Sequence, residues 1–201
     1  YIDLILLHQA FGNYYKAWHD LENLYQEGKL KAIGVSNFYP DRLADICCHC
    51  RIKPMVNQVE THVYYQKEID HKWNEKFGVQ MEAWGPLSET RVKELIVNPT
   101  LVSIAKKHNK TPAQVALRFN IQRKIVIIPK STHKERMSEN INVFDFKLSH
   151  EEMEEIQKLD EGKTRIIDHF DPNLVSCNCK NEDSIDICSY SEWLFKTINS
   201  L

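Results

Sequence analysis

Ile127-Ile128-Pro129-Lys130-Ser131-Thr132-His133-Lys134-Glu135-Arg136 reads as an apolar strand running directly into the start of a helix. At the junction stand a cation, a hydroxyl and a second cation. A helix N-terminus exposes unpaired N–H groups and the positive end of its dipole, Lys130 adds a point charge, and the Arg136 guanidinium can grip two oxygens at once. The combination suits a phosphorylated ligand. An ordinary helix start with solvated basic residues would look the same locally, so the rest of the chain has to decide.

Before that junction, nearly continuous apolar runs occur at Ile2 to Leu7, Ala32 to Val35, Met55 to Val59 and Val79 to Trp84, and Ile125 to Ile128 leads into it. Lacking strict alternation, they read as buried strands of a parallel sheet covered on both faces. Helices fill the intervals. Tyr14 to Gln26 carries Ala17, Trp18, Leu21, Leu24 and Tyr25 as one stripe and ends at Glu27-Gly28-Lys29. Asp41 to Cys50 follows Pro40, Gln66 to Lys76 closes at Gly78, and Asn98-Pro99 and Thr111-Pro112 open two more. Glu135 to Asn142 and Ser149 to Leu159 complete the set. The unit is a β/α repeat of roughly 25 residues, with a doubled helical insert before the last strand.

Such alternation fits an open doubly wound sheet or a closed (β/α)8 barrel. A G-x-G-x-x-G turn would favour the first, and none is present. Each strand instead runs out on residues suited to holding a ligand: His8, Ser36-Asn37, Gln58 with Glu60, Trp84, and Lys130-Ser131. Barrel enzymes place their sites on that rim. The expected fold is therefore α/β, a TIM barrel present only in part.

A chain of 201 residues suits one sizeable domain or a large piece of a bigger protein. Formal net charge is −2 with basic residues scattered, which gives no broad footprint for nucleic acid or an anionic membrane. No apolar run is long enough to span a bilayer. Cys47, Cys48, Cys50, Cys177, Cys179 and Cys188, with His49 among them, raise zinc ligation as an alternative. Paired C-x-x-C knuckles are missing, so reduced thiols in a cytoplasmic protein, with no metal, are expected. The chain opens on Tyr1 rather than Met with a strand pattern beginning at once, which reads as a fragment or a record starting mid-protein. At the other end Trp193, Leu194, Phe195, Ile198 and Leu201 make a helix-like stripe expected to dock on a protein surface.

Several blocks resemble the aldo-keto reductases, the NADP(H)-dependent (β/α)8 barrel family, and more closely its small diketogluconate and aldehyde reductases. They are Tyr1-Ile2-Asp3-Leu4-Ile5-Leu6-Leu7-His8; Glu27-Gly28-Lys29-Leu30-Lys31-Ala32-Ile33-Gly34-Val35-Ser36-Asn37-Phe38; Pro54-Met55-Val56-Asn57-Gln58-Val59-Glu60; and Ile128-Pro129-Lys130-Ser131 with Glu135-Arg136 and Glu139-Asn140. The likeness covers about residues 1 to 160 and fades by 175. It implies a barrel incomplete here, strands 4 to 8 only, over residues 1–160, followed by a 161–201 tail that diverges after about 175.

The resemblance implies roles for these residues. Ser36, Asn37 and Gln58 would hold the nicotinamide carboxamide, and Trp84 would stack on the nicotinamide ring. Lys130, Ser131 and Arg136 would clamp the adenosine 2′-phosphate, with Glu139 and Asn140 near the adenine, so NADP(H) is the expected cofactor. The implied reaction is hydride transfer to an aldehyde or ketone carbonyl, with His8 orienting that carbonyl as the catalytic residue. The family's tyrosine, lysine and aspartate have no counterpart in this chain, so the isolated polypeptide is expected to be inactive. A small carbonyl substrate is the expected partner, and the full-length protein is expected to be a monomer. The alternative is a degenerate, non-catalytic nucleotide-binding or interaction protein of the same fold.

Overall fold

Trp18, Leu21 and Leu24 recur at helical spacing and are buried, which turns one side of α1 (Tyr14–Gln26) into the packing face that the apolar stripe calls for. Asn13 caps this helix, its side chain accepting from the Lys16 N–H at 3.2 Å. A computed structural model describes residues 1–178 of the chain. These fall into two compact units, one formed by Tyr1–Gln58, Ile69–Gln80 and the chain from Ile167, the other by Val59–Glu68 and Met81–Ile166.

In the first unit β1 (Ile5–Leu7), β2 (Ile33–Ser36) and the start of β3 (Val56–Glu60) form a parallel ladder. Ile5 pairs with Ile33, Leu6 with Gly34, Val35 with Asn57 and Ser36 with Gln58. All four residues of β2 are buried, as expected of a strand covered on both faces. Gly34 is required there. A Cβ at this position would stand 2.6 Å from the Val56 carbonyl oxygen and 2.7 Å from Leu6 Cδ2. Ile33, Val35 and Phe38 join the α1 stripe and Leu43 and Ile46 of α2 (Pro40–His49) in one core. Glu22, wholly buried, ties α1 to the chain after α2: its carboxylate accepts from the Arg51 and Ile52 N–H groups at 2.7 and 2.8 Å and from Arg51 Nε at 2.9 Å.

In the second unit β4 (Gln80–Trp84) and β5 (Val126–Ile127) pair in parallel through Glu82 with Val126 and Ala83 with Ile127. Val59, Met81, Ala83 and Ile125 pack together around them. A second cluster joins Leu101 and Ile104 of α5 (Pro99–His108), Val115 and Phe119 of α6 (Pro112–Gln122) and Ile156 of α8 (His150–Gln157). Capping boxes open α6 and α8 at Thr111 with Gln114 and Ser149 with Glu152. Between β4 and α5 run a 3-10 turn, Glu89–Arg91, and a short α4 (Val92–Leu95), which the sequence pattern does not announce. The same is true of α9 (Pro172–Asn178) in the first unit.

Three expectations need correction. The run Ile125 to Ile128 is not a buried strand throughout, since Ile125 is buried but Val126 and Ile128 are 44% and 45% exposed. Its ladder bonds go to β4, leaving the other edge without a described strand in this unit. The run Ile2 to Leu7 yields only Ile5–Leu7 as strand, Ile2 making an isolated bridge to Leu30. Gln58 is not a strand terminus either, because β3 continues to Glu60. The expected apolar stripe at 191 to 201, with Cys179 and Cys188, lies outside the described residues.

Candidate functional site

Three of the expected site residues in the first unit gather at the C-terminal end of β2 and at Gln58, two residues before the end of β3. Asn37 adopts a left-handed backbone, φ 57°, a conformation that asparagine tolerates better than most residues. This turn lets its Nδ2 donate to Ser36 Oγ at 3.1 Å and to the His8 carbonyl at 3.3 Å. The Gln58 carbonyl in turn accepts from Ser36 Oγ and from the Asn37 N–H, both at 2.9 Å. Ser36 and Asn37 are buried and the Gln58 side chain is partly exposed. His8 follows β1, and it is the backbone of this residue that joins the cluster, its side chain being exposed.

In the second unit Trp84 closes β4 and is half-buried. The chain then passes through three left-handed residues, Gly85 (φ 61°), Ser88 (φ 65°) and Glu89 (φ 42°). Non-glycine residues in that region carry strain, and such strain collects at functional loops. The buried Ser88 Oγ has no hydrogen-bond partner among the described residues. Sequence reasoning missed this loop, although Gly85-Pro86 directly after a strand was a usable signal.

Lys130 lies three residues past the end of β5 and is exposed. Ser131 Oγ accepts from the His133 N–H at 3.1 Å and lies 3.3 Å from the His133 carbonyl, a local turn that leads into α7 (Lys134–Ile141). No side chain caps that helix, so its first N–H groups are left for a ligand or water. Arg136 sits in the first turn, also exposed. Neither Lys130 nor Arg136 forms an ion pair with another described residue. Glu139 is engaged differently: its carboxylate accepts from Thr111 Oγ1 and its carbonyl from Gln114 Nε2 at 3.1 Å, which braces α7 on the start of α6. Asn140 is half-buried on the same helix.

Of the free cysteines around α2, Cys47 and Cys50 are quiet. Burial, aided by the neighbouring Cys50, pushes the Cys47 thiol up to about 12, and burial raises Cys50 too. Such thiols stay protonated at neutral pH. Among the described residues no group of three His, Cys, Asp or Glu side chains is placed to hold a metal ion, and no helix is long and apolar enough to cross a membrane.

Parallel strands joined by helices, with polar side chains gathered where strands end, define an α/β protein whose site lies at the strand ends. The model of the Aldo/keto reductase family matches residues 1–161, and the chain belongs to that family. It is 47% identical over 164 residues to the 9,11-endoperoxide prostaglandin H2 reductase of Trypanosoma cruzi, covering 81% of this chain and 58% of that protein. The glyoxal reductase of Bacillus subtilis is 44% identical over 164 residues, with the same coverage of both chains. A crystal structure of MGS-M4, an aldo-keto reductase from a deep-sea metagenome library, superposes with a TM-score of 0.83 at 44% identity, covering 85% of this chain and 64% of that one. An aldo-keto reductase of the silkworm Bombyx mori, solved in complex with NADP, gives a TM-score of 0.78 at 30% identity, covering 84% of this chain and 60% of that one. The chain thus spans a little under two thirds of the relatives it matches, and its fold is that of part of an aldo-keto reductase barrel.

Proposed function

We propose that this chain carries the nucleotide-holding part of an NADP(H)-dependent oxidoreductase that reduces aldehyde or ketone carbonyls to alcohols. The observation that carries the reading is the pair Lys130 and Arg136, two exposed cations without ion-pair partners among the described residues, placed around an uncapped helix start. That donor set fits a phosphate and supports a preference for the cofactor with the extra 2′-phosphate. Ser131 and the α7 N–H groups would add hydrogen bonds, with Glu139 and Asn140 on the adenine side. Ser36, Asn37 and Gln58 would receive the carboxamide, a group that needs both donors and acceptors. Trp84 would offer its ring face.

When bound, the cofactor supplies hydride chemistry. The protein's share is orientation. His8, exposed beyond β1, would direct a donor N–H at the substrate carbonyl. The donor that delivers the proton in this family has no matching residue in the chain, so residues 1–201 alone would bind NADPH without turning over an aldehyde. Cys47, Cys48 and Cys50, which are not in disulfides, favour a reducing compartment such as the cytoplasm, and a small carbonyl compound as substrate needs no macromolecular partner.

Titration of the chain with NADPH and NADH, followed by tryptophan fluorescence, tests the reading. NADPH is expected to quench at least about tenfold more tightly than NADH, a difference of about 1.4 kcal/mol for the extra phosphate. Equal affinities, or no quenching by either, would overturn it.

A further inference from the structure

Helix α7, which carries Arg136 in its uncapped first turn, buries none of its eight residues. Its large apolar side chains lie outward, Met137 50% and Ile141 71% exposed. Apolar packing therefore does little to hold it in place, and a helix this short is not stable by propensity alone. What fixes it is polar. Among the described residues, every side-chain hydrogen bond that ties α7 to another element comes from the start of α6.

Thr111 Oγ1 donates to the Glu139 carboxylate, and Gln114 Nε2 donates to the Glu139 carbonyl at 3.1 Å and to the Asn142 carbonyl at 2.9 Å. Carbonyls at a helix C-terminus have no partner within the helix, so these donors meet groups that would otherwise need water. The seam continues past the helix, where Lys110 Nζ donates to the Asn142 carbonyl at 3.3 Å and Arg118 Nη1 to the Val143 carbonyl at 3.2 Å.

Gln114 is 5% exposed and uses both ends of its amide. Its Oε1 accepts from the Thr111 N–H at 3.0 Å, which is half of the capping box that opens α6. A backbone N–H can only donate and the two α7 carbonyls can only accept, so the amide has one orientation that meets all three. One side chain thus starts α6 and anchors the far end of α7. Arg136 precedes Glu139 by three residues, on the adjoining turn of a rod only about 12 Å long, and a shift of the clamped end carries the guanidinium and the first-turn N–H groups with it.

We propose that Gln114 is a positioning residue for the anion site: by clamping the C-terminal end of α7 onto the start of α6, it fixes where Arg136 and the free N–H groups of α7 are presented. The identity of the anion, a nucleotide 2′-phosphate, rests on the function proposed above. The clamp itself does not.

Q114E separates the two jobs of this residue, because a glutamate keeps the acceptor that the capping box needs and removes both donors to α7. Hydrogen exchange of the nucleotide-free 201-residue chain, read by mass spectrometry, tests the clamp. The α7 amides of Q114E are expected to exchange about tenfold faster than in the parent, with α6 and α1 within about twofold. T111S, which keeps the hydroxyl on Glu139 and the N-cap, is expected to match the parent within about twofold in all three helices. Fluorescence titration with NADPH and NADH then reads the positioning. The preference for NADPH is expected to fall at least about fivefold in Q114E, whereas a merely structural weakening would lower both affinities alike and leave the preference unchanged. Parent-like exchange of α7, an equal rise in α6 or α1, or an unchanged NADPH preference with α7 loosened would each overturn the proposal. A parent chain without any preference for NADPH would instead overturn the function proposed above, and the exchange result would judge the clamp by itself.

Discussion

Around Ser36, Asn37 and Gln58, polar atoms are committed to one another by the folding of β2 and β3, whereas Lys130 and Arg136 are exposed and form no ion pair among the described residues. The first cluster is a product of packing. Its position depends on Gly34 letting β3 come close, and on Asn37 taking a backbone conformation that turns its amide back over the strand ends. The second is a charge feature on a helix start that folding leaves available. Substitutions in the first unit's packed strands should therefore act on stability, and those at the two cations on ligand binding.

The largest expected effect is at Gly34. In G34A the new methyl would meet the Val56 carbonyl oxygen at 2.6 Å, backbone that cannot yield without parting β2 from β3. Overpacking of this kind is expected to cost about 3 kcal/mol. Urea unfolding of the two chains would measure it, and a loss under about 1 kcal/mol would mean the ladder is looser than the contact implies.

Next comes the buried carboxylate of Glu22. Burial acts to raise its pKa, but hydrogen bonds from His19, the Ile52 and Arg51 N–H groups and the Arg51 guanidinium together hold it below the ordinary value of a glutamate. A depressed folded-state pKa contributes stability that is present above the unfolded value and lost as pH falls through the folded one. E22Q should therefore be less stable than the parent near neutral pH, and the difference should shrink on acidification below the ordinary glutamate range. Thermal melts across that range would show it, and a gap that widens toward acid would contradict the sign.

The smallest expected effect on stability is at the cations themselves. K130A/R136A removes two exposed side chains that form no ion pair among the described residues and should shift the unfolding free energy by no more than about 0.5 kcal/mol. The comparison between the two clusters would fail if this variant melted as early as G34A.

How much of this was legible in the sequence follows from how local each feature is. The α1 boundaries, Tyr14–Gln26, could be read directly because stripe and stop signal lie within a few turns. The order of the five strands, and of the helices other than α4 and α9, could be read for the same reason. Exposure of Val126 and Ile128 could not, since an apolar run looks alike whether its strand has neighbours on one side or two. Nor could the hydrogen bond from Thr164 Oγ1 to Glu60 Oε2, because no local pattern links residues 104 positions apart. Lys130 and Arg136 were legible as an anion site because the chemistry of a helix start is local. Glu139 was legible only as a polar residue nearby, and its brace to Thr111 emerges once α6 and α7 meet.

The most direct test of the nucleotide reading is the affinity of K130A/R136A for NADPH and NADH, measured against the parent chain by fluorescence titration. The account predicts that NADPH affinity falls at least about tenfold while NADH affinity changes by less than about twofold, so that the preference for the 2′-phosphate disappears. An undiminished preference for NADPH in the double variant would contradict it.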